Sequence, residues 1–318
     1  MFDVVGIDMP CMDLAVNVNT FPKPNQGTYV NSLSWQGGGK VSTGMVAAAR
    51  LDAKCAIMGC VGDDDYGRFC LWDFNRHGID TSSMIVRKNA STSLSIVISD
   101  RETSGRSFVF HRGAAVQYSL EEIDIDKLRN TRYFFISQLH EITAECCIIA
   151  KQAGAEIFMD ADSFSQEIME HISLVDYFIA SEFVYNALFE NDHYEENCKN
   201  IMSMGPKVVV FTLGAKGCVG ISKDGFFQLK SYPVEVVDTV GAGDVFHGAF
   251  LAGLLKNWSI KECANFSNAV SSIKCTRPGG RSGIPDMKTV KRFMETGEID
   301  YTDIDSRVLL YERGISYV

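Results

Sequence analysis

The sequence Val237-Asp238-Thr239-Val240-Gly241-Ala242-Gly243-Asp244 stands directly before an apolar helical run, Val245–Leu255. Glycines ahead of a helix predict a turn whose backbone N–H groups point at one place, where the helix dipole adds partial positive charge. Such a place binds an anion well. Asp244 is not expected to pair with that anion, because like charges repel, and it suits a base acting on a neighbouring hydroxyl. A phosphoryl-transfer site requires this layout.

Composition limits the classes of protein to which the chain can belong. Its 318 residues are 46% hydrophobic and predict one globular unit over 1–318. The net charge of −10 argues against a nucleic-acid partner. No apolar run approaches the ~18 residues that cross a bilayer, so we expect no membrane contact. Ten cysteines without a C-x-x-C pair favour free thiols in a reducing compartment, and we expect a cytoplasmic protein.

Short apolar runs alternate with helical patterns along most of the chain. This alternation predicts βαβ units and a parallel sheet covered on both faces. The strand candidates are Val4–Ile7, Ala56–Val61, Tyr133–Ser137, Glu156–Asp160, Tyr177–Ala180 and Val208–Thr212. The helix candidates that follow them include Thr43–Leu51, Tyr66–His77, Ala144–Ala153, Phe183–Glu190 and Tyr194–Met204.

Other segments break this rhythm, because their polar and apolar residues alternate with a period of two. They lie at about 10–18, 28–35, 92–99 and 106–112. Such alternation is typical of strands with one solvated face, so we expect a small second sheet. This sheet is expected to act as a lid over a site at the carboxyl ends of the parallel strands. A lid that closes on the reactants also excludes water.

With Gly37-Gly38-Gly39-Lys40, the opening motif resembles the ribokinase-like (pfkB-type) carbohydrate kinases. The likeness runs from Val4 to about Phe293 and includes five blocks in the family's order. The blocks are Gly6-Ile7-Asp8 with Asp13; Gly38-Gly39 with Gly59–Gly67; His111-Arg112-Gly113-Ala114; Thr212–Gly217; and Asp238–Asp244 with Asn268 and Thr276–Gly280. The resemblance implies a Rossmann-like three-layer αβα sandwich with a central, mostly parallel sheet and a small β-sheet lid. It also implies transfer of the γ-phosphoryl group of ATP, with Mg²⁺, to a hydroxyl of a small carbohydrate or sugar-like alcohol.

The resemblance assigns a role to each site candidate. Asp244 would be the catalytic base, and Gly241, Ala242 and Gly243 the anion hole. The candidates for substrate binding are Asp13, Gly38, Gly39, Thr43 and Arg112, and those for ATP binding are Thr212, Gly214, Gly217 and Asn268. A helix N-terminus is expected to keep the Asp244 carboxylate ionised at neutral pH. The alternatives are a carboxylate that only stabilises the helix and glycines that only form surface turns.

The metal-binding part of the pattern departs from the family. Ser181-Glu182-Phe183-Val184 stands where most members have Asn-x-x-Glu, which orders the water shell of Mg²⁺. Glu182, Asp160 or Asp162 would have to substitute, and Mg²⁺ is expected to bind mainly through ATP and water. Asp238 matches a position that holds a monovalent cation such as K⁺ in some members. A structural cap is an equal alternative for Asp238.

The substrate stays open at this stage. Thr43 and Asp162 both stand where asparagine is common, so an unusual sugar, a polyol or a nucleoside is possible. A nucleoside kinase needs an aromatic base pocket, for which Phe21, Trp35 and Phe110 are the candidates. A weakly active ligand-binding or regulatory protein on the same fold is the alternative from another class. The resemblance also implies a homodimer formed through the lid strands.

Overall fold

The computed structural model describes residues 1–103, 105–115 and 117–315. The strands are β1 Phe2–Asp8, β2 Cys11–Val18, β3 Val30–Gly38, β4 Cys55–Gly62, β5 Asp80–Arg87, β6 Ser93–Asp100, β7 Arg106–His111, β8 Thr131–Ile136, β9 Glu156–Ala161, β10 Tyr177–Ser181, β11 Val208–Thr212, β12 Cys218–Ser222 and β13 Gly225–Leu229. The helices are α1 Lys40–Arg50, α2 Asp65–Arg76, α3 Ile125–Arg129, α4 Glu141–Gln152, α5 Gln166–His171, α6 Glu182–Leu188, α7 Tyr194–Met202, α8 Ala242–Leu255, α9 Ile260–Lys274, α10 Met287–Thr296 and α11 Thr302–Glu312.

A nine-stranded sheet forms the centre of the molecule, in the order β13-β12-β11-β10-β9-β8-β1-β4-β5. The seven strands from β11 to β5 in this order pair in parallel, and β12 and β13 add an antiparallel edge. The buried apolar runs of β4 and β9 suit strands that are covered on both faces. The sequence prediction of an α/β fold with a mostly parallel sheet is confirmed.

Helices cover both faces of this sheet. Phe134 and Phe135 are neighbours on β8, are both fully buried, and pack into different cores. The core around Phe135 includes α1, α8 and α9, and the core around Phe134 includes α4 and α7. Because successive strand residues point to opposite faces, both layers of helices are necessary. Removing either phenyl ring would cost about 3–5 kcal/mol of stability.

The lid is a separate four-stranded sheet in the order β3-β2-β6-β7. Its β2 and β6 are parallel, whereas β2–β3 and β6–β7 are antiparallel. Each of the four alternating segments forms a strand, so the predicted second sheet is confirmed. β3 continues to Gly38, so Gly37 and Gly38 are strand residues and not part of a free turn.

Several elements were not predicted. The hairpin β12–β13, the edge strand β5 and the C-terminal helix α11 had no assignment from the pattern. Helix α11 packs against the lid, and its Tyr311 lies in a small core with Met12 and Phe69. None of the described helices combines the length and apolar composition that a membrane crossing requires.

Candidate functional site

Polar residues gather at the carboxyl ends of the parallel strands. Strands β1, β9 and β11 end at Asp8, Ala161 and Thr212, and these ends lie at one edge because the strands run in parallel. Open α/β sheets bind ligands at this edge. The N-terminus of α8 is brought to it, since His247 Nε2 lies 3.2 Å from the carbonyl oxygen of Ile179 on β10.

The turn before α8 depends on Gly241. This residue is the N-cap of α8 and has φ 72°, a conformation that favours glycine. A Cβ atom there would lie 2.9 Å from Gly280 Cα, so the turn packs directly on the segment 276–280. A Cβ at Gly243 would meet no atom within 4 Å, and this residue is exposed. The N–H of Ala242 donates to the carbonyl oxygen of Thr239 at 3.2 Å, whereas the space beside Gly243 in the first turn of α8 is open, so an anion could approach the helix N-terminus there.

Asp244 follows in the first turn of α8 and is half-buried. Burial raises the pKa of its carboxyl well above the ordinary value, and the nearby Asp160 carboxylate acts in the same direction. His247 and Lys40 oppose this shift without cancelling it. Lost hydration thus opposes the expected effect of the helix N-terminus on Asp244, and the ionisation of this carboxylate at neutral pH stays a prediction.

His247 lies one turn further along α8, close to the Asp160 carboxylate. Its Nδ1 lies 2.6 Å from the carbonyl oxygen of Gly243 and 3.4 Å from Asp160 Oδ2. Asp160 is 1% exposed, and its Oδ2 accepts no hydrogen bond within the described residues. Burial raises the pKa of Asp160 to about 7. The contact with the Gly243 carbonyl thus connects His247 to the first turn of α8.

Asp8 and the start of α1 form a second part of the candidate site. Asp8 Oδ2 accepts the backbone N–H of Ser42 at 2.8 Å and so caps α1. Gly39 has φ 101°, and a Cβ atom there would lie 2.7 Å from the same oxygen. Only glycine fits this close approach of the backbone to a carboxylate.

The lid contributes Asp13 to this side. A Cβ atom at Gly38 would lie 2.3 Å from Asp13 Oδ1, so the bare glycine backbone lies directly against this carboxylate. Burial raises the pKa of Asp13 to about 6, while Cys11, Arg281 and Ser95 act to lower it. Opposite the lid, Lys40 Nζ lies 3.1 Å from Asp162 Oδ2. Burial acts to lower the pKa of Lys40, but Asp162 and Asp160 outweigh it and raise this pKa.

The residues proposed for ATP lie at the other end of the edge. Thr212 ends β11, and its Oγ1 donates to the carbonyl oxygen of Ala180 at 3.4 Å. Gly214 and Gly217 have φ 56° and 95° and enclose a short 3₁₀ turn. Asn268 is buried, and its Nδ2 donates to the carbonyl oxygen of Lys230 at 3.3 Å. The structure brings these residues to the end of β11 and the neighbouring hairpin.

The family follows from the whole chain. A model described as pfkB family carbohydrate kinase matches residues 1–287. The chain belongs to the pfkB family of carbohydrate kinases. Members of this family are ATP-dependent phosphotransferases with an alcohol acceptor, and the sequence-based recognition is confirmed.

Relatives of this pfkB kinase carry different names. It is 25% identical over 96% of both chains to a 5-dehydro-2-deoxygluconokinase from Clostridium beijerinckii. It is 27% identical to a nucleoside kinase from Methanothermobacter thermautotrophicus, over 92% of this chain and 95% of the relative. The structure of an Arabidopsis thaliana ribokinase complexed with ribose and ATP is similar, with a TM-score of 0.80 at 21% identity over 92% and 99% of the chains.

Two residues of the pfkB kinase that are predicted to bind substrate lie in opposite surroundings: Thr43 is buried and Arg112 is exposed. Thr43 is 2% exposed, and its hydroxyl accepts a hydrogen bond from Nε of the buried Arg281 at 3.3 Å. The Thr43 hydroxyl is thus bonded inside the protein, and its contact with a substrate stays a prediction. Arg112 is exposed directly after β7 on the lid edge, and its role also stays a prediction.

The residues that stand in place of the family's Asn-x-x-Glu have other partners in this pfkB kinase. Ser181 Oγ caps α6 by accepting from the N–H of Val184, and Glu182 Oε1 lies 3.2 Å from Lys216 Nζ. Across the described ranges, no three His, Cys, Asp or Glu side chains are arranged to hold a metal ion. A metal ion that enters with ATP is compatible with this arrangement.

Sequence reasoning gave no role to Lys40, Arg281 or Lys274. Lys40 stands in the quoted motif Gly37-Gly38-Gly39-Lys40, so the sequence could have indicated that it lies near the site. The sequence does not show that Arg281 and Lys274 are buried.

A small recess beside Asp8 is lined by Ile7, Asp8, Met9, Tyr118, Ser137, Gln138 and Thr143. A wider depression on α10 includes Asp52, just beyond the C-terminal end of α1, and so lies at the opposite edge of the sheet.

Proposed function

We propose that this pfkB kinase transfers the γ-phosphoryl group of ATP to a hydroxyl of a small carbohydrate or polyol. The observation that carries the proposal is the N-terminus of α8, where the exposed first turn at Gly243 and the Asp244 carboxylate lie at one place. The lid supplies a second carboxylate, Asp13, on the acceptor side. The family match supports the reaction class, while the relatives differ in the substrates that their names give.

Asp244 is the proposed base and Gly241, Ala242 and Gly243 the proposed anion hole. A hydroxyl that attacks phosphorus must lose its proton, and a carboxylate within reach accepts it. The raised pKa of Asp244 makes its carboxylate a stronger base than an ordinary aspartate. Lys40 lies near the same carboxylates and adds positive charge. The glycine turn stabilises the charge that develops on the phosphoryl oxygens.

Asp13, Gly38 and Gly39 are the proposed acceptor residues. With a pKa of about 6, Asp13 is mostly ionised at neutral pH and accepts hydrogen bonds from vicinal hydroxyl groups. The two glycines leave the backbone open to a close approach. Thr43 and Arg112 stay in the proposal as flanking residues. This arrangement favours a polyhydroxylated acceptor over a simple alcohol.

Mg²⁺ would be held by the ATP phosphates and by carboxylates that order its water shell. The unsatisfied Oδ2 of Asp160 supports this view, and Asp162 follows at the end of the same strand. Glu182 is a third candidate, although it is paired with Lys216. When bound, Mg²⁺ offsets phosphate charge. Thr212, Gly214, Gly217 and Asn268 are proposed for the nucleotide itself.

A nucleoside is the second candidate acceptor, and the lid carries the observation that favours it. Phe110 pairs with Ser95, which pairs with Asp13, so all three lie on one face of the lid. Phe110 is 73% exposed and stacks on Phe108 with ring centroids 5.7 Å apart. Trp35 lies one position away from Gln36, the partner of Asp13, and so belongs to the other face. An exposed aromatic pair near the acceptor suits a flat base.

The test is release of ADP from ATP and Mg²⁺ with a panel of ketoses, aldoses, deoxy sugar acids, polyols and nucleosides. We expect turnover with one sugar-like class and its loss in Asp244→Asn. Turnover with nucleosides only would select the second candidate. Binding of a panel member without turnover would favour the ligand-binding or regulatory alternative. Phe110→Ala separates the acceptors, because it should weaken a nucleoside far more than a small sugar.

A homodimer through the lid and a cytoplasmic location complete the proposal. The lid's exposed apolar residues Val30, Leu33 and Val109 support self-association. All ten cysteines are free thiols, which supports a reducing compartment. Sedimentation equilibrium with Val109→Glu tests the dimer, since a charge in the contact should yield monomers.

A further inference from the structure

Asp238 joins two segments of chain at the entrance to the α8 turn. Its Oδ1 accepts the N–H of Val240 at 2.9 Å, and its Oδ2 accepts the N–H of Gly279 at 2.8 Å. The carboxylate thus connects the turn 238–243 with the segment 276–280. Both of its oxygens already accept backbone hydrogens.

A buried ammonium group contacts the same residue. Lys274 is the last residue of α9 and is 0% exposed, and its Nζ donates to the carbonyl oxygen of Asp238 at 3.0 Å. Lysines at helix ends ordinarily extend into solvent, because burying a charge is costly. Here the negative end of the α9 dipole and the Asp238 carbonyl offset part of that cost.

These contacts do not fit a monovalent cation at Asp238. Such an ion is held by several oxygen atoms that point at it. At this position the carbonyl oxygen accepts from Lys274, and both carboxylate oxygens accept from backbone N–H groups. A second positive charge beside the ammonium would also be repelled. The K⁺ site expected from the resemblance is therefore not supported.

We propose that Lys274 replaces the monovalent cation and that this protein needs no K⁺. The ammonium holds the carbonyl of Asp238, and the carboxylate of the same residue accepts the N–H of Gly279 in the segment 276–280. Gly241 packs on Gly280, so this fixed contact sets the position of the proposed anion hole. The effect on turnover rests on the proposed kinase function, whereas the effect on stability does not.

Stability is the first test. The melting temperature of the wild type is measured in KCl and in tetramethylammonium chloride at equal ionic strength, and we expect no difference. Lys274→Met should melt about 2–5 °C lower, since it leaves the Asp238 carbonyl without its buried donor. K⁺ or NH₄⁺, but not tetramethylammonium, should restore part of this loss, because an ion that binds only the folded state stabilises it. Lys261→Met is the matched control, an exposed lysine on the same helix.

Several outcomes would overturn the proposal. One is a rise of the wild-type melting temperature in K⁺, and another is anomalous density from Tl⁺ beside Asp238 in wild-type crystals. A Lys274→Met protein that behaves like Lys261→Met would also do so. If Lys274→Met does not fold, the wild-type comparison and the Tl⁺ experiment still decide.

Turnover supplies an independent measurement. Wild-type ADP release should be equal in K⁺ and tetramethylammonium, and Lys274→Met should lose about 10-fold or more and regain part of it in K⁺. Turnover that requires K⁺ in the wild type would overturn the role of Lys274. If no acceptor supports turnover, the proposed function fails, while the melting series still tests the buried ammonium.

Discussion

The α8 turn and the lid bring a carboxylate each to the site, but they hold it by different means. Asp244 is fixed in the first turn of a helix whose other residues are almost all buried. Asp13 lies on a four-stranded sheet whose edge strand β7 is exposed along its whole length. A residue in a tightly packed element keeps its geometry, whereas a sheet outside the core can move as a unit. We infer that the turn controls the chemical step and the lid controls acceptor binding.

The largest expected effect is that of Asp244→Asn on turnover. The amide cannot accept the proton of the acceptor hydroxyl, so kcat should fall by roughly 10²–10⁴-fold, with little change in KM for the acceptor. The variant should melt no lower than the wild type, because the raised pKa means that the charged carboxyl is disfavoured in the folded protein. Asp224→Asn, an exposed carboxylate in the β12–β13 hairpin, is the control. A variant with near wild-type kcat would remove Asp244 from the chemistry.

Asp13→Asn tests whether the lid and the α8 turn have different functions. Loss of a charged acceptor of hydrogen bonds costs about 1.5–3 kcal/mol, so KM for the acceptor should rise by roughly 10–100-fold. The effect on kcat should be much smaller, because Asp13 does not take part in proton transfer in this scheme. Initial rates over a range of acceptor concentrations measure both. A fall confined to kcat would contradict the division of labour between the two regions.

The central fold was predictable because its signals are local. Runs such as Cys55–Gly62 and Glu156–Ala161 are too apolar to face water, and the helices between them required parallel pairing. The β12–β13 hairpin was missed although Asp224-Gly225 is a recognised hairpin signal, and Gly225 does have φ 105°. The β5 sequence mixes polar and apolar residues, so its pattern did not predict this strand at the edge of the sheet.

The site was only partly predictable, because burial depends on distant segments. The turn 238–244 and Asp13 were found from the motif, and the structure brings them to one edge. The raised pKa of Asp244 was not foreseen, since it depends on burial in the folded protein and on Asp160 from strand β9. Lys274 reads as an ordinary solvated lysine in the sequence. Its burial follows from the folding of 276–284 over the end of α9, where a Cβ at Gly283 would lie 2.4 Å from the carbonyl oxygen of Lys274.

Gly241→Ala tests the rigidity of the turn. The positive φ and the contact with Gly280 both oppose a side chain, and together they should cost about 1–3 kcal/mol of stability. Gly297→Ala is a matched control, because Gly297 has φ 77° and nothing within 4 Å of its Cβ position. Thermal unfolding measures the loss of stability in both variants, and the difference between the two losses gives the contribution of the contact with Gly280. Equal melting temperatures would mean that the turn yields as readily as a surface cap.

The smallest expected effect is a pH dependence of stability that arises from Asp160. Asp160 has a folded-state pKa of about 7 against an ordinary value of 3.8, so the folded protein binds this proton more tightly than the unfolded chain. Its favourable contribution is present at low pH and is lost as the pH rises from about 4 through about 7. Asp160→Asn removes this loss, so its melting temperature relative to wild type should rise by a few degrees between pH 5 and pH 8. Measuring the difference cancels the titration of groups that Asp160 does not influence, such as His77, whose pKa burial lowers to about 3, whereas the titration of Asp244 changes together with Asp160. A difference that stays flat with pH, as expected for the exposed control Asp224→Asn, would mean that Asp160 is ionised in the folded protein.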